Sequence, residues 1–294
     1  MRLASYDGRL TIVVGERGVD VETVSGGRFS ADVQAAYARW QELRDWWGEQ
    51  SPDAVQARSI ELDPARLGPP APRPAQVFAL GLNYADHVAE GGFSLPEAPV
   101  IFTKFPSSIT GPISEVRLPE GNVDWEIELV AVVGRQTVGQ VDPDSGWDHI
   151  AGVTIGQDIS ERLGQHRPPA PQFSLAKSYP GFSPLGPVLV TPDEFDDPND
   201  IGLHCRRNGE TVQRARTSSM IFDVPAIVAY LSGIVTLLPG DIIFTGTPDG
   251  VGRVRIPPVF LQSGDVLESE IENIGTIRQT FVGAAARQSA AAVG

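Results

Sequence analysis

Residues 124–129 read Asp124-Trp125-Glu126-Ile127-Glu128-Leu129, an acidic–apolar alternation over six positions. In a strand, alternate residues share a face. Trp125, Ile127 and Leu129 are therefore expected to enter a core, and Asp124, Glu126 and Glu128 to point together the other way. Two carboxylates about 4 Å apart repel by roughly 4 kcal/mol at an effective dielectric near 20 unless something positive lies between them. A hard divalent cation, Mg²⁺ or Mn²⁺, relieves that repulsion and selects oxygen ligands. A solvated strand face gives the same alternation, and it is the simpler reading of the hexapeptide alone.

The surrounding sequence extends this strand into a sheet-rich fold. Residues 77–80, 100–103, 125–133, 153–157, 188–190 and 242–245 read as strands, and Asn208-Gly209 marks a hairpin. One helix is predicted near 224–232. Regular helices do not separate the strands, which argues against a doubly wound parallel sheet. The expected class is mainly β (α+β), a β-sandwich or barrel-like roll. Upstream, an Asp7-Gly8 turn joins two short strands, and Ser30 is a candidate N-cap for a helix reaching Trp47. Val33, Tyr37, Trp40 and Leu43 recur at helical spacing on that segment and should be buried. Five prolines within residues 63–74 cannot sustain a helix or a central strand. The chain thus divides into a small N-terminal domain at 1–68 and a main domain at 75–283. The alanine-rich residues 284–294 are expected to form a disordered tail.

Composition narrows the function. The 294 residues carry a formal net charge of −14, which argues against a nucleic-acid surface. It does not exclude a small anionic substrate, since a few local cations override the net balance. One cysteine, Cys205, allows no internal disulfide and no cysteine-rich zinc site. No signal peptide or membrane-length apolar run is read, so a cytoplasmic protein without a membrane partner is expected. The Gly-rich Thr245–Gly252 stretch lacks a Walker ending, and no GxGxxG occurs. Ser107 and Ser108 lack a nucleophile elbow.

After the hexapeptide, a strand-like run ends at Asp158, followed by Ile159-Ser160-Glu161-Arg162. Asp158 is a candidate third ligand with a substrate-binding cation nearby, although such a residue also serves as a turn cap. In order, LGLNYADHVAEGG, DWEIEL, GQDISERLGQ, SLAKSYPGFSPLGP, TSSMIF and LLPGDIIFTGTPDGVG occur along the chain. This succession, from about Val77 to Phe281, resembles the fumarylacetoacetate hydrolase family, especially bacterial members acting on acylpyruvates and catechol-pathway dioates.

The resemblance implies a mixed β-sandwich roll and a homodimer. It implies Glu126, Glu128 and Asp158 as ligands of Mg²⁺ or Mn²⁺, Lys177 as the active-site lysine, and Arg162, Gln165 and Thr247 as substrate contacts. His87 and Glu90 would form a His–Glu dyad on a lid hinged at Gly91 and Gly92, with Glu90 raising the imidazole pKa. Two departures stand out. Glu161 replaces a residue more often small in the family, and no fourth carboxylate ligand is evident upstream. Lys104 is a further pocket candidate and His166 a weaker one; His149 and His204, the latter expected on an edge strand, read as structural.

The first functional expectation is metal-dependent hydrolysis of a C–C bond in an acylpyruvate or related dioxo acid, through an ion-stabilised enolate, with water activated by the dyad. Decarboxylation of an oxaloacetate-like acid, isomerase or lyase chemistry, and a non-catalytic metal- or carboxylate-binding protein are the alternatives.

Overall fold

Residues 1–283 are described by a computed structural model; the expected tail at 284–294 lies outside the described residues. Two mixed sheets form the body. The larger runs, edge to edge, through Ile60–Glu61, Arg17–Asp20, Arg9–Val14, Arg2–Tyr6, Ser183–Val190, Ile150–Gln157, Ile127–Val133, Ile242–Phe244, Val77–Gly81 and Val100–Thr103. The smaller orders Glu210–Arg216, Gly202–Arg207, Val266–Ile271, Gly275–Gly283 and Ile113–Leu118. Among the described residues pairing is antiparallel except where Ile242–Phe244 meets Val77–Gly81, where Gly275–Gly283 meets Ile113–Leu118 and where Ser183–Val190 meets the short strand Ile109–Thr110. This is the sheet-rich roll expected from the sequence, with no doubly wound sheet.

Ile127–Val133 lies at the centre of the larger sheet and is buried on both faces. Ile127, Leu129, Ala131 and Val133 face the apolar core shared with Leu203, Leu267, Ile277 and Phe281 of the smaller sheet. Val130 and Val132 face a second core built with Leu3, Leu10, Tyr37, Trp40 and Leu43. The bland reading of DWEIEL as a solvated face is therefore excluded: Glu128 shares a face with Val130 and Val132 and is fully buried.

The strand begins later than expected. Val123–Asp124 pairs with Ser160–Glu161 in a separate two-stranded ribbon, and the ladder resumes only at Ile127. Between them, side chains replace ladder acceptors: Gln157 Oε1 accepts the Glu126 N–H at 2.9 Å and Gln213 Oε1 the Ile127 N–H at 3.0 Å.

The N-terminal segment continues the larger sheet. Arg2 and Leu3 pair with Val190 and Leu189, and both stretches share the second core. The proline-rich segment lies against this unit, where the Pro70 carbonyl accepts the buried Tyr37 hydroxyl at 2.8 Å. The helix expected from Ser30 is instead a 3₁₀ turn, Gln34–Arg39, followed by an α-helix, Trp40–Gly48. Asp32, not Ser30, receives the Gln34 N–H. The apolar spacing held regardless, since Val33, Tyr37, Trp40 and Leu43 are all buried. Both hairpins form with positive φ at Asp7, Gly8, Asn208 and Gly209, as two-residue turns of this type require. His204 lies on an interior strand rather than an edge, because Gly202–Arg207 pairs on both sides. No helix among the described residues is long and apolar enough to cross a membrane.

Candidate active site

Glu126, Glu128 and Asp158 converge at the end of the central strands. One carboxylate oxygen from each lies within 4.8 Å of the others, and all three residues are buried. Strand period two brings Glu126 and Glu128 together. Asp158 joins them because Ile127 pairs with Gln157, and the Asp158 N–H donates to the Glu126 carbonyl at 2.9 Å.

Three buried cations surround this acidic group. Lys177 Nζ donates to Glu126 Oε2 at 2.8 Å and to Asp158 Oδ2 at 2.5 Å. Lys104, raised from sequence as a pocket candidate, donates to Asp158 Oδ1 at 2.5 Å and to the Phe182 carbonyl at 3.1 Å. Arg162 reaches Asp124 and Glu126 at 2.8 and 2.7 Å. Burial alone would lower the Lys177 ammonium, but Asp158 and Glu126 outweigh it and raise its pKa. Burial prevails at Lys104, whose pKa falls despite Asp158. Burial would raise Glu126, yet Lys177 and Arg162 hold it below the usual carboxylate range.

Glu128 differs. Burial, then Asp158 and Glu126, push its carboxyl well above the usual range. Its Oε2 accepts the Gly246 N–H at 2.7 Å, but its buried Oε1 has no hydrogen-bond partner among the described residues. A buried, unpaired carboxylate oxygen is costly, and a positive charge placed against it removes the cost. The all-oxygen donor set and this orphaned atom fit a hard divalent cation.

Glu161, the departure from the expected pattern, turns away from Arg162. Its carboxylate accepts the N–H groups of Leu163, Gly164 and Asn122 at 2.9, 2.6 and 3.1 Å, capping a short helix. Besides Glu126, the counter-ion of Arg162 is Asp124, which also accepts the Gly252 and Arg253 N–H groups at 2.7 and 3.0 Å. The alternation placed Asp124 beside the other acids; its partner is set by the ribbon to Ser160–Glu161, a pairing between distant segments.

A cavity of about 290 Å³ opens onto this cluster, lined by His87, Glu126, Arg162, Gln165, Lys177 and Thr247 among others. Most of the expected site residues thus meet in one place, Glu128 and Asp158 through the carboxylate cluster they form with Glu126, whereas Glu90 is not among the lining residues. Thr247 Oγ1 donates to the Ile127 carbonyl at 2.9 Å and accepts from Gln213 at 2.8 Å, so its hydroxyl is already oriented. Leu82 at the cavity wall has a φ of 58°, an unusual conformation for a leucine. Asn83 secures it: its side chain bonds the Phe222 carbonyl and N–H and the Thr245 carbonyl at 2.7–2.9 Å.

His87 and Glu90 share the helix Ala85–Glu90, but they do not form a bonded pair. His87 Nδ1 lies 3.8 Å from Glu90 Oε2, beyond hydrogen-bond reach, and has no hydrogen-bond partner among the described residues. Glu90 instead accepts the Gly250 N–H at 3.0 Å. Glu90 does push the His87 pKa up, as expected, and Glu126 pushes it further, but burial outweighs both and the net shift is downward. Gly92 does adopt left-handed geometry, with φ 69°.

The sequence profile of the family described as Fumarylacetoacetate (FAA) hydrolase C-terminal matches residues 76–282. The human mitochondrial oxaloacetate tautomerase FAHD2A is 45% identical over 210 residues, spanning 71% of this chain and 67% of that protein. A solved structure from Mycobacterium smegmatis superposes with a TM-score of 0.90 at 52% identity, covering 97% of this chain and 100% of the other. Maleylpyruvate hydrolase from Sphingobium sp. SYK-6, solved with manganese(II) and pyruvate, superposes with a TM-score of 0.77 at 28% identity, covering 96% of this chain and 99% of the other.

Proposed function

We propose that this chain, which belongs to the fumarylacetoacetate hydrolase family, is a divalent-metal-dependent enzyme interconverting the keto and enol forms of a small 2-oxo acid. The observation that carries the reading is His87, a buried imidazole in the same cavity as Glu126 and Lys177, with Nδ1 unpartnered. Its lowered pKa keeps it neutral near pH 7, the form a base needs. The human relative is named an oxaloacetate tautomerase, and the Sphingobium relative was solved with pyruvate and manganese(II).

Glu126, Glu128 and Asp158 would hold Mg²⁺ or Mn²⁺. Such an ion, when bound, supplies a Lewis acid that stabilises negative charge developing on a 2-oxo acid's carbonyl oxygen. His87 removes the proton from the carbon next to that carbonyl, and the protonated imidazole carries it until the carbonyl oxygen receives it. Lys177, kept protonated by its two carboxylates, donates a hydrogen bond to that oxygen as charge builds there. Gln165 orients the acid through its amide, and Thr247, whose hydroxyl proton is held by the Ile127 carbonyl, shapes the cavity wall beside it. No atom is gained or lost, so neither water nor a co-reactant enters.

Hydrolytic C–C cleavage is the second reading, favoured by the Sphingobium relative and by Glu90 only 3.8 Å from His87. A shortened contact would complete a dyad able to activate water. Oxaloacetate decarboxylation draws on the same carbonyl polarisation. A homodimer and a cytoplasmic location belong to the proposal, the latter beside a human relative that is mitochondrial by name. The test is a panel of 2-oxo acids with Mg²⁺ or Mn²⁺, followed by ultraviolet absorbance for keto–enol exchange and by mass spectrometry for products. Accelerated exchange without change of mass is expected. Two fragments would establish hydrolysis, loss of CO₂ decarboxylation, and no turnover across the panel would refute the enzyme reading.

A further inference from the structure

The cavity contains two arginines, and their situations are opposite. All three nitrogens of Arg162 are engaged: Nε with Asp124, Nη1 with Gln165, and Nη2 with both Asp124 and Glu126, at 2.7–2.9 Å. A guanidinium held this way contributes positive potential but has little donor capacity left for a substrate. Arg253 has no carboxylate within ion-pair distance among the described residues. Its one side-chain partner is His166, whose Nε2 lies 2.7 Å from Arg253 Nη1. The arginine donates, so His166 is the neutral acceptor. The His166 ring meets the edge of Phe173 at 6.2 Å, which backs it from behind.

The Arg253 main chain is also fixed, since its N–H donates to Asp124 Oδ2, the same oxygen that receives Arg162. Gly252 beside it admits no side chain: a Cβ there would lie 1.9 Å from the Val259 carbonyl oxygen. Arg253 is therefore anchored at its backbone and braced at one terminal nitrogen, with Nε and Nη2 left to donate. Around it the cavity is largely apolar, with Leu80, Val100, Phe102, Val251 and Val254 on its walls. A half-buried guanidinium in apolar surroundings gains strongly from an anion, because little water competes.

We infer that Arg253, braced by His166, is the specificity-determining residue for a second carboxylate, so that the enzyme selects dicarboxylic 2-oxo acids over monocarboxylic ones. The inference rests on the 2-oxo acid reading above. One carboxylate and its neighbouring carbonyl face the acidic cluster and Lys177; the other ends on the Arg253 fork. Arg253 is a binding group, and His166 a positioning residue acting through it.

The test is isothermal calorimetry on the full chain with Mg²⁺ present, comparing 2-oxopentanedioate with 2-oxopentanoate, which share a carbon skeleton and differ by the distal carboxylate. Wild type should bind the diacid roughly 10- to 100-fold more tightly, the range of a hydrogen-bonded charge contact. Arg253→Gln should abolish that preference by weakening the diacid far more than the monoacid; Arg253→Lys should restore part of it. His166→Ala should reduce the preference without removing it. A diacid preference that survives Arg253→Gln overturns the inference, as does equal weakening of both acids, and either leaves the 2-oxo acid reading standing. Failure of wild type to bind either acid overturns both.

Discussion

Glu128 is the group whose charge the site least compensates, and replacing it tests the metal reading directly. At 4.8 Å and an effective dielectric near 20, each like-charged pair costs about 3 kcal/mol. Lys177 and Lys104 offset part of that cost, and the raised Glu128 pKa shifts its carboxyl toward the neutral form and relieves more of it, which leaves a net effect of roughly 1–2 kcal/mol. Glu128→Gln keeps the shape, retains an acceptor for the Gly246 N–H, and places an amide against Glu126 and Asp158. In chelator, the variant should therefore melt about 2–4 °C above wild type at pH 8.

The pH dependence has a definite sign. A carboxyl whose folded pKa is raised stabilises fully below its unfolded value, near 4.3, and loses that stability as pH rises through the folded value. The advantage of Glu128→Gln should accordingly grow as pH rises above about 4.3. Adding Mg²⁺ or Mn²⁺ should reverse the order. Wild type should gain about 2.7 kcal/mol with ion at a hundredfold excess over Kd, and the variant much less. Thermal melts across pH, with chelator and with ion, measure every part of this. A variant less stable than wild type in chelator at pH 8, or one with an undiminished ion-induced shift, would refute the assignment of Glu128 as the uncompensated ligand.

The remaining predictions concern the base, its titration and the cavity wall. His87→Ala should lower kcat roughly 10²- to 10⁴-fold with ion affinity retained, while Glu90→Gln should lower it far less, because the two side chains are not bonded; parallel collapse of both variants in steady-state kinetics would favour the hydrolytic dyad. Since burial lowers the His87 pKa, the acidic limb of the kcat/KM profile should fall below pH 6.5, the ordinary imidazole value, and a limb at or above 6.5 contradicts that cause. Asn83→Ala removes three hydrogen bonds that hold Leu82 at positive φ, so a stability loss of about 2–4 kcal/mol in urea and a raised KM are expected; unchanged KM would separate Asn83 from the site. Light scattering at micromolar concentration should give a dimer mass, and a monomer would remove the assembly from the proposal without touching the site.

Local chemistry made much of this protein legible from sequence. Asp-Gly and Asn-Gly specify their hairpins because both residues tolerate positive φ, and period two alone puts Glu126 and Glu128 on one face. Helical spacing likewise identified the buried side of residues 33–43, although the 3₁₀ turn and the Asp32 cap were misread as one helix from Ser30. Motif order located the other site residues on a chain of this family, but not their bonds. Whether the acidic face met water or a core depended on segments far away in sequence, namely the smaller sheet packed on one face of the central strand and Tyr37, Trp40 and Leu43 of the N-terminal segment on the other. Likewise, the counter-ion of Arg162 is Asp124 because a ribbon joins residues separated by a long excursion, and Glu161 is diverted into a helix cap. The His87 pKa turned on depth of burial against the charge of Glu126 and, less, of Glu90 3.8 Å away, a competition that only three-dimensional packing decides. Arg253 and His166 lie 87 residues apart, so their pairing became visible only once the chain had closed around the cavity.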